Sequence, residues 1–253
     1  MVIETSRALT LAGFSHGYST RGGGVSASPD AAADFALLRD PLALAENLAR
    51  LGAAVGFDPA AIFQVKQVHG STVREAEGDP LALRELEGDA VIASCPRIAV
   101  GVRVADCVPV LVGDTTSGHA FAIHAGWRGV VNGVVGEALS RREGGRRVGA
   151  IGPCIGACCF EVSEDVAEQI ARAARAPSII TSRHGDGKAK VDLRAAVRAQ
   201  LRRAGLRDED IDDVGGCSRC DAERYHSYRR DGDASGRMLA VIVARGRESV
   251  TGP

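Results

Sequence analysis

The sequence predicts an α+β fold, with a mixed β-sheet core layered with helices, in a single domain spanning residues 1–253. Apolar residues make up 45% of the chain and charged residues 25%, as in ordinary globular proteins. Apolar runs typical of strands cluster in the middle of the chain, and helical segments interrupt them irregularly. This order favours a mixed sheet over regular β-α-β winding.

The clearest predicted helix starts at Asp40-Pro41, with Asp40 as the N-cap and Gly56 near the end. Its apolar stripe is formed by Leu44, Leu48 and Leu51. Further helices are predicted over 128–142, 163–175 and 192–204. Gly133 and Gly136 weaken the first of these three.

Apolar runs rich in β-branched residues predict six strands, over 61–68, 89–94, 98–104, 108–113, 119–124 and 238–244. In an extended segment, side chains alternate between the two faces of a sheet. Val65, Gln67 and His69 should therefore share one face. We expect the side chains of Gln67 and His69 to face the same pocket.

The overall charge and the cysteine content limit which partners and which location we expect for this chain. A net charge of -1 gives no general attraction to nucleic acids or anionic membranes. No run reaches the ~18 apolar residues of a membrane helix, and residues 1–14 lack the order of a secretory signal. Seven cysteines form a poor disulfide framework and indicate reduced thiols. We therefore expect a cytoplasmic protein with neither nucleic-acid nor membrane partners.

Three residues at the ends of apolar runs offer metal ligands: His69, Cys107 and His124. Taken singly, each has an ordinary explanation, such as a surface histidine or a buried cysteine that acts as a small hydrophobe. Taken together, one thiolate and two imidazoles suit Zn²⁺ and leave a fourth position for water or substrate. This set predicts a working metal site.

Basic residues in glycine-containing turns are candidate anion ligands. Arg21 precedes Gly22, Gly23 and Gly24, whose backbone N–H groups could hold a phosphate, although a flexible loop explains the segment equally well. Arg229 lies in a second basic turn, for which the alternative is a salt-bridged surface loop. Arg128 follows Gly126-Trp127, where glycine allows the backbone to approach a ligand closely.

The remaining cysteines resemble two known zinc patterns incompletely. Pro153-Cys154-x3-Cys158 is one residue longer than the motif of nucleobase deaminases, and no His-x-Glu partner exists. Cys217-x2-Cys220 has the spacing of a zinc knuckle, but its partner pair is missing unless Cys154, Cys158 or Cys159 supplies it. We do not expect a second, structural zinc.

Six segments in order along the chain carry a family resemblance. They are His16-Gly17-x-Ser19-Thr20-Arg21 with Gly23-Gly24-Val25-Ser26; Gln67-Val68-His69-Gly70; Ala105-Asp106-Cys107-x-Pro109-Val110-Leu111; His124-Ala125-Gly126-Trp127-Arg128-Gly129; Gly152-Pro153-x-Ile155-Gly156; and Ser227-Tyr228-Arg229-Arg230-Asp231-Gly232 through Gly236-Arg237-Met238. Together they strongly resemble the YfiH/laccase-domain family, also described as multicopper polyphenol oxidase-like or purine nucleoside phosphorylase-like proteins. One departure is His226, where relatives usually carry an aromatic residue.

The resemblance implies Zn²⁺, or Cu²⁺, held by His69, Cys107 and His124, with Cys107 and His124 also catalytic. It implies phosphorolysis of adenosine, inosine, guanosine and S-methyl-5'-thioadenosine, and deamination of adenosine. Purine nucleosides and phosphate would be the partners of the chain. The residues expected to bind substrate are Arg21, Gln67, Arg128 and Arg229.

Three other functions stay open at this point. Cys107 and His124 could form the nucleophile–base pair of a metal-free cysteine hydrolase. A copper-dependent polyphenol oxidase is a second alternative, but six histidines without a His-x-His motif are too few for mononuclear and trinuclear copper centres together. The third is an editing factor in cell-wall metabolism.

Overall fold

Two large β-sheets lie face to face in the computed structural model, which describes residues 1–27, 32–37, 39–142 and 144–246. The strands are β1 (Ile3–Glu4), β2 (His16–Ser19), β3 (Ile62–Phe63), β4 (Val73–Glu75), β5 (Ala90–Ala93), β6 (Ala99–Val104), β7 (Val108–Asp114), β8 (Ala120–Ala125), β9 (Arg147–Ile151), β10 (Glu161–Ser163), β11 (Ile180–His184), β12 (Lys188–Val191), β13 (Ile211–Asp213) and β14 (Met238–Val243). The α-helices are α1 (Arg7–Leu11), α2 (Pro41–Val55), α3 (Pro80–Glu85), α4 (Trp127–Val131), α5 (Val134–Ser140), α6 (Glu164–Ala174), α7 (Leu193–Arg203) and α8 (Tyr228–Asp231).

Both large sheets are mixed. One has the strand order β1-β2-β14-β6-β3, and the other has the order β13-β9-β7-β8-β5-β4. Most neighbours are antiparallel, while β3 with β6, β4 with β5, and β9 with β13 run parallel. A small third sheet has the order β10-β12-β11. The predicted α+β fold with a mixed sheet is therefore confirmed.

Alternating side chains on each strand build a helix–sheet–sheet–helix sandwich. Leu111 and Ala122 of the six-stranded sheet pack in the same cluster as Val102 and Ile242 of the five-stranded sheet, so the two sheets share a core. Helix α2 covers the outer face of the five-stranded sheet through its leucine stripe. Helices α5, α6 and α7 cover the outer face of the six-stranded sheet.

Three predicted helices form as the sequence indicates. The side chain of Asp40 accepts hydrogen bonds from the first turn of α2, and Gly56 ends the helix in a left-handed conformation. Helices α6 and α7 lie within the predicted ranges, and the Asp192 side chain caps α7 by accepting from Ala195 N. Strands β5, β6, β7, β8 and β14 match their predictions to within about one residue.

Two predicted elements differ from the structure. The helix predicted over 128–142 is two helices, because Gly133 adopts a φ of 76° that a continuous helix does not allow. Of the strand predicted over 61–68, only Ile62 and Phe63 form a ladder, with β6, while Lys66 makes one isolated bridge to Glu87. His69 has a φ of 60°, so regular alternation stops before this residue.

The longest described helix has 15 residues, and none of the described helices has both the length and the apolar character needed to cross a membrane. The single domain over 1–253 stays a prediction, and residues 247–253 lie outside the described part of the chain. The fold places three connections close together: the turn from β6 to β7, the end of β8, and the loop after β3.

Candidate metal centre

Cys107 lies in the turn where the chain passes from one large sheet to the other. It follows β6 and directly precedes β7. Asp106, just before it, adopts a φ of 85°, which turns the backbone sharply. Strand β7 pairs with β8 so that Pro109 lies opposite His124. This register brings the Cys107 turn next to His124.

The loop carrying His69 is held by a buried carboxylate. Asp89, which is fully buried, accepts backbone hydrogen bonds from Val68 N at 3.3 Å, His69 N at 2.9 Å and Gly70 N at 2.6 Å. The same carboxylate accepts a hydrogen bond from His124 Nδ1 at 2.7 Å. Asp89 thus fixes the positions of two histidines from different elements.

Asp89 also determines which ring nitrogen of His124 is available. Because Nδ1–H donates to the carboxylate, Nε2 is left with its lone pair in the neutral ring. Carboxylate–histidine pairs of this kind orient imidazole ligands in metal sites. Sequence reasoning missed Asp89, although a charged residue directly before a fully buried strand was a usable signal.

Burial raises the pKa of Asp89, but the hydrogen bonds from His124 and from the backbone of Gly70 and Val68 lower it below its usual value. Because the folded protein favours the ionised form of Asp89, this carboxylate stabilises the fold at pH values above its ordinary pKa. That contribution is lost as the pH falls through the lowered value.

The structure brings His69, Cys107 and His124 together, and we call these residues the candidate metal triad. Their ligand atoms all lie within 4.8 Å of one another, and the two imidazole rings meet edge to face at 4.9 Å. Zn²⁺ bonds to nitrogen and sulfur at ~2.0–2.3 Å, so small side-chain rotations suffice to place the three atoms around one ion. The donor set and the spacing both fit a metal.

Gly126 leaves the space that the triad occupies. A Cβ atom at this position would lie 2.9 Å from His69 Cδ2 and 3.0 Å from Cys107 Sγ. Contacts this short force neighbouring atoms to move. The glycine in the sequence His124-Ala125-Gly126 is therefore a steric requirement of the site.

In the metal-free triad, the pKa values of Cys107 and His124 are shifted in opposite directions. Burial opposes ionisation of Cys107, but the charges and hydrogen bonds of His124 and His69 outweigh it and lower the pKa of Cys107 to about 6. Burial lowers the pKa of His124, while Cys107 and Asp89 raise it to about 9. Without a metal, the pair is therefore a thiolate and an imidazolium near neutral pH.

Gln67 does not share a pocket with His69 in the predicted manner. Its Nε2 donates to Arg103 O at 2.7 Å, and its Oε1 accepts from Arg103 N at 2.8 Å. Both polar ends of the amide thus bond the backbone of β6 and anchor the loop before His69. The assignment of Gln67 to substrate binding stays a prediction.

Arg21 lies next to a different part of the chain, and its glycine turn is packed internally. Arg21 Nη1 donates to Ala222 O at 2.7 Å. A Cβ atom on Gly23 would lie 2.8 Å from Met1 N, and one on Gly24 would lie 2.2 Å from Ala33 N. Close packing against the chain itself accounts for these glycines, so the predicted phosphate cradle is not needed to explain them.

The other two predicted arginines lie on segments that adjoin the triad along the chain or through a hydrogen bond. Arg128 is exposed, and its guanidinium stacks over the Trp127 ring at 4.5 Å. Arg229 N donates to Asp106 Oδ2 at 2.6 Å, while its Nη1 donates to Glu161 O at 3.0 Å. Asp106, which sequence reasoning quoted but gave no role, therefore ties the Cys107 turn to the segment that carries Arg229.

Comparisons with known proteins agree with the motifs. The family model described as multi-copper polyphenol oxidoreductase laccase matches residues 15–245. A purine nucleoside phosphorylase from Deinococcus radiodurans is 38% identical over 244 residues, which cover 94% of this chain and 92% of the relative. The adenosine deaminase RL5 from an unknown prokaryotic organism is 38% identical over 167 residues, covering 63% of this chain and 64% of the relative.

A solved structure gives the same result for the fold. YlmD from Geobacillus stearothermophilus superposes with a TM-score of 0.83 at 28% identity, covering 95% of this chain and 94% of YlmD. Because the curated relatives are named as enzymes, the prediction of an enzyme is confirmed. The chain belongs to the multi-copper polyphenol oxidoreductase laccase family.

Proposed function

We propose that this enzyme is a metal-dependent purine nucleoside phosphorylase whose metal is held by His69, Cys107 and His124. Its proposed substrates are adenosine, inosine, guanosine and S-methyl-5'-thioadenosine, each with phosphate as the second substrate. The observation that carries the proposal is the convergence of the triad within 4.8 Å. The similarity to the Deinococcus radiodurans phosphorylase supports the choice of reaction.

Adenosine deamination is proposed as a second reaction of the same site. The similarity to the adenosine deaminase RL5 supports it. When bound, Zn²⁺ would supply a Lewis acid that polarises a group on the purine or activates water. One thiolate and two imidazoles also suit copper, so Cu²⁺ is the alternative metal.

The residues of the chain would prepare the site in three ways. Asp89 would hold His124 with Nε2 facing the ligand position, because it accepts the hydrogen bond from Nδ1. Cys107 would contribute a thiolate, since its pKa is lowered to about 6 even before a metal binds. Gly126 would keep the volume between the ligands free of a side chain.

Phosphorolysis requires a bound phosphate, whereas deamination does not. A phosphate oxygen forms a bond to C1′ of the ribose as the bond from C1′ to the purine nitrogen breaks. The electron pair of the broken bond leaves with the purine, which takes up a proton. Only this reaction requires a bound anion, and Arg21, Arg128 and Arg229 are the proposed ligands because guanidinium groups bind phosphate in bidentate geometry.

Multi-copper oxidation is not proposed, because the histidines are in the wrong places. All six histidines are described, and among the described residues only His69 and His124 belong to a cluster of candidate metal ligands. His16 is buried, where its Nε2 accepts from Ser6 N and its Nδ1 bonds Phe14 O. His226 is buried and bonds Ala33 O.

A metal-free cysteine hydrolase is the second candidate, because Cys107 and His124 already form a thiolate–imidazolium pair. A thiol alkylating agent separates the two candidates. The metal enzyme predicts slow alkylation of Cys107 in metal-loaded protein and fast alkylation after chelation. Fast alkylation of metal-loaded protein, with activity retained in chelator, would instead establish the hydrolase.

The proposed function is tested by following base release from the four purine nucleosides with and without phosphate. We expect base and the corresponding ribose 1-phosphate only when phosphate is present, while inosine should form from adenosine in either case. No phosphate-dependent base release from any of the four nucleosides would refute the phosphorylase.

The anion site is tested by Arg21→Ala, with the exposed Arg141, which pairs with Glu137 on the surface, as the control position. Arg21→Ala should raise the KM for phosphate far more than it slows deamination, while Arg141→Ala should leave both unchanged. Equal losses of both reactions in Arg21→Ala would remove Arg21 from the phosphate site.

A further inference from the structure

A second group of possible metal ligands lies in a different part of the fold, and we call it the cysteine cluster: Cys158, Cys159, Cys217 and Cys220. All four thiols are free, and their sulfur atoms lie within 4.8 Å of one another. Cys220 Sγ is 3.6 Å from Cys158 Sγ and 3.3 Å from Cys159 Sγ. Four sulfur atoms around one tetrahedral Zn²⁺ at ~2.3 Å would be about 3.8 Å apart, so the cluster is close to that arrangement.

We propose that the cysteine cluster binds a structural Zn²⁺ through four thiolates and thereby joins residues 154–160 to residues 217–220. The sequence left the partner of the Cys217-x2-Cys220 pair open. The structure assigns that place to Cys158 and Cys159, because Cys154 is fully buried and its sulfur accepts from Arg194 Nη2 instead. This site is separate from the candidate metal triad and does not depend on the proposed function.

The backbone around Cys217 supports the cluster as a ligand set. Gly156 N donates to Cys217 Sγ at 3.2 Å, and backbone groups of Arg219 and Cys220 hydrogen-bond the same sulfur. In a Cys-x2-Cys turn, this arrangement directs N–H groups at the first thiolate and spreads its negative charge. Such hydrogen bonds orient ligands and tune metal sites.

The space and the charge around the other sulfur atoms also support the cysteine cluster as a set of metal ligands. A Cβ atom on Gly156 would lie 3.3 Å from Cys158 Sγ and 3.2 Å from Cys217 Cβ, so glycine allows the two segments to approach. Arg219 Nη1 lies 3.6 Å from Cys159 Sγ. A zinc ion with four thiolates carries a net charge of −2, which a neighbouring guanidinium partly offsets.

Direct backbone contact between the two described segments is limited, although Cys154, Ile155, Phe160 and Cys217 belong to one apolar cluster. Their backbones meet at a single bridge between Cys154 and Cys217, with a hydrogen bond from Ser218 N to Cys154 O at 2.9 Å. Cys158 and Cys220 are exposed, so burial of these two thiols does not explain why they lie beside Cys159 and Cys217. A structural zinc supplies folding free energy directly, because its ligands join segments of the folded chain.

The cysteine cluster is linked to the candidate metal triad through Asp106. Ser218, inside the Cys217-x2-Cys220 turn, donates from Oγ to Asp106 Oδ1 at 2.6 Å. Asp106 directly precedes Cys107 and also accepts from Arg229 N. A zinc ion in the cysteine cluster would therefore fix the turn that supports Cys107, although it would contact no substrate itself.

Metal analysis of untagged protein tests the proposal directly. We expect about two Zn²⁺ ions per chain in the wild type and about one in Cys220→Ser or Cys217→Ser. Cys107→Ser should also keep about one, because it loses only the triad metal. Cys95→Ser is the matched control, since Cys95 is an exposed free cysteine outside both groups, and should keep two.

Cobalt substitution gives a readout that does not require a folded variant. The charge-transfer band of Co²⁺ grows with the number of thiolates bound, so the cysteine cluster should dominate the spectrum of the wild type and of Cys107→Ser. A wild-type spectrum of a one-thiolate site only, or unchanged zinc content in Cys220→Ser, would overturn the proposal. A disulfide between Cys220 and Cys158 or Cys159 in protein purified anaerobically would also overturn it.

Discussion

The candidate metal triad and the cysteine cluster differ in donors and in surroundings. The triad offers one sulfur and two nitrogens, and the buried carboxylate of Asp89 hydrogen-bonds one of its histidines. The cysteine cluster offers four sulfurs, two of them from exposed residues. Backbone N–H groups and the guanidinium of Arg219 lie against these sulfurs. Three donors leave a coordination position for a substrate, whereas four thiolates fill a tetrahedral ion.

The supporting structure differs in the same sense. The triad is built on a strand end, a turn between the two sheets and a loop clamped by Asp89, so rigid elements fix its geometry. The cysteine cluster joins two segments whose backbones share one bridge, and two of its four cysteines are exposed. The comparison therefore predicts that loss of the triad metal mainly reduces activity, while loss of the cluster metal mainly reduces stability.

The largest expected effect is that of Cys107→Ser. Removing a neighbour of a metal ligand costs ~10–100-fold in affinity or activity, and removing the ligand itself should cost at least ~100-fold in nucleoside turnover. The measurements are metal content and turnover on the same preparation, with Cys95→Ser as the control. Full turnover by metal-depleted Cys107→Ser would contradict the assignment.

Asp89→Asn should have the next largest effect. The substitution keeps the size of the side chain but removes the charge that orients His124 and the acceptor that two of the loop N–H groups need. We expect metal affinity to fall by ~10–100-fold, as measured by competition with a chelating dye. Unchanged affinity would mean that the hydrogen bond between Asp89 and His124 does not support metal binding.

Gly126→Ala tests the space inside the triad with a single added methyl group. Because the new Cβ would meet His69 and Cys107 at 3.0 Å or less, we expect metal affinity to fall by about tenfold. The control is Gly136→Ala in α5, where nothing lies within 4 Å of the added atom. That change should leave affinity intact and stabilise the helix by ~0.5–1 kcal/mol. Equal affinities in the two variants would show that the close approach at Gly126 is unimportant.

The smallest expected effect is a shift in the pH profile of alkylation. In metal-free protein, the rate of Cys107 alkylation should rise with pH as the thiol ionises, with a midpoint near 6. His124→Gln should move this midpoint upward, because it removes the group that most favours the thiolate. The same midpoint in both proteins would show that His124 does not control the ionisation of Cys107.

The triad could be predicted from the sequence because its residues sit in short, family-specific motifs. The chain also signals its long elements clearly, as in α2, where the Asp40 cap and the leucine stripe agree. The triad's supporting residues were harder to predict. Asp89 is separated from His69 and His124 by 20 and 35 positions, and only the strand register brings them together.

The lost alternation at His69 and the broken helix at Gly133 both have a cause in backbone conformation. His69 and Gly133 adopt positive φ values that neither alternation nor helical periodicity reveals. The sequence left the partner of the Cys217-x2-Cys220 pair open, and in the structure that partner is Cys158-Cys159, about sixty residues away along the chain. Their approach depends on the tertiary packing of two surface segments, which spacing alone does not encode.

The central claim is that the triad metal is required for nucleoside chemistry, and chelation followed by reconstitution tests it most directly. One preparation is stripped of metal and reloaded with Zn²⁺, and phosphate-dependent cleavage of inosine is measured at each stage alongside metal content. We expect cleavage to disappear with the metal and to return in proportion to zinc in wild-type protein, but not in Cys107→Ser. Undiminished phosphate-dependent cleavage by the stripped wild-type protein would contradict the claim.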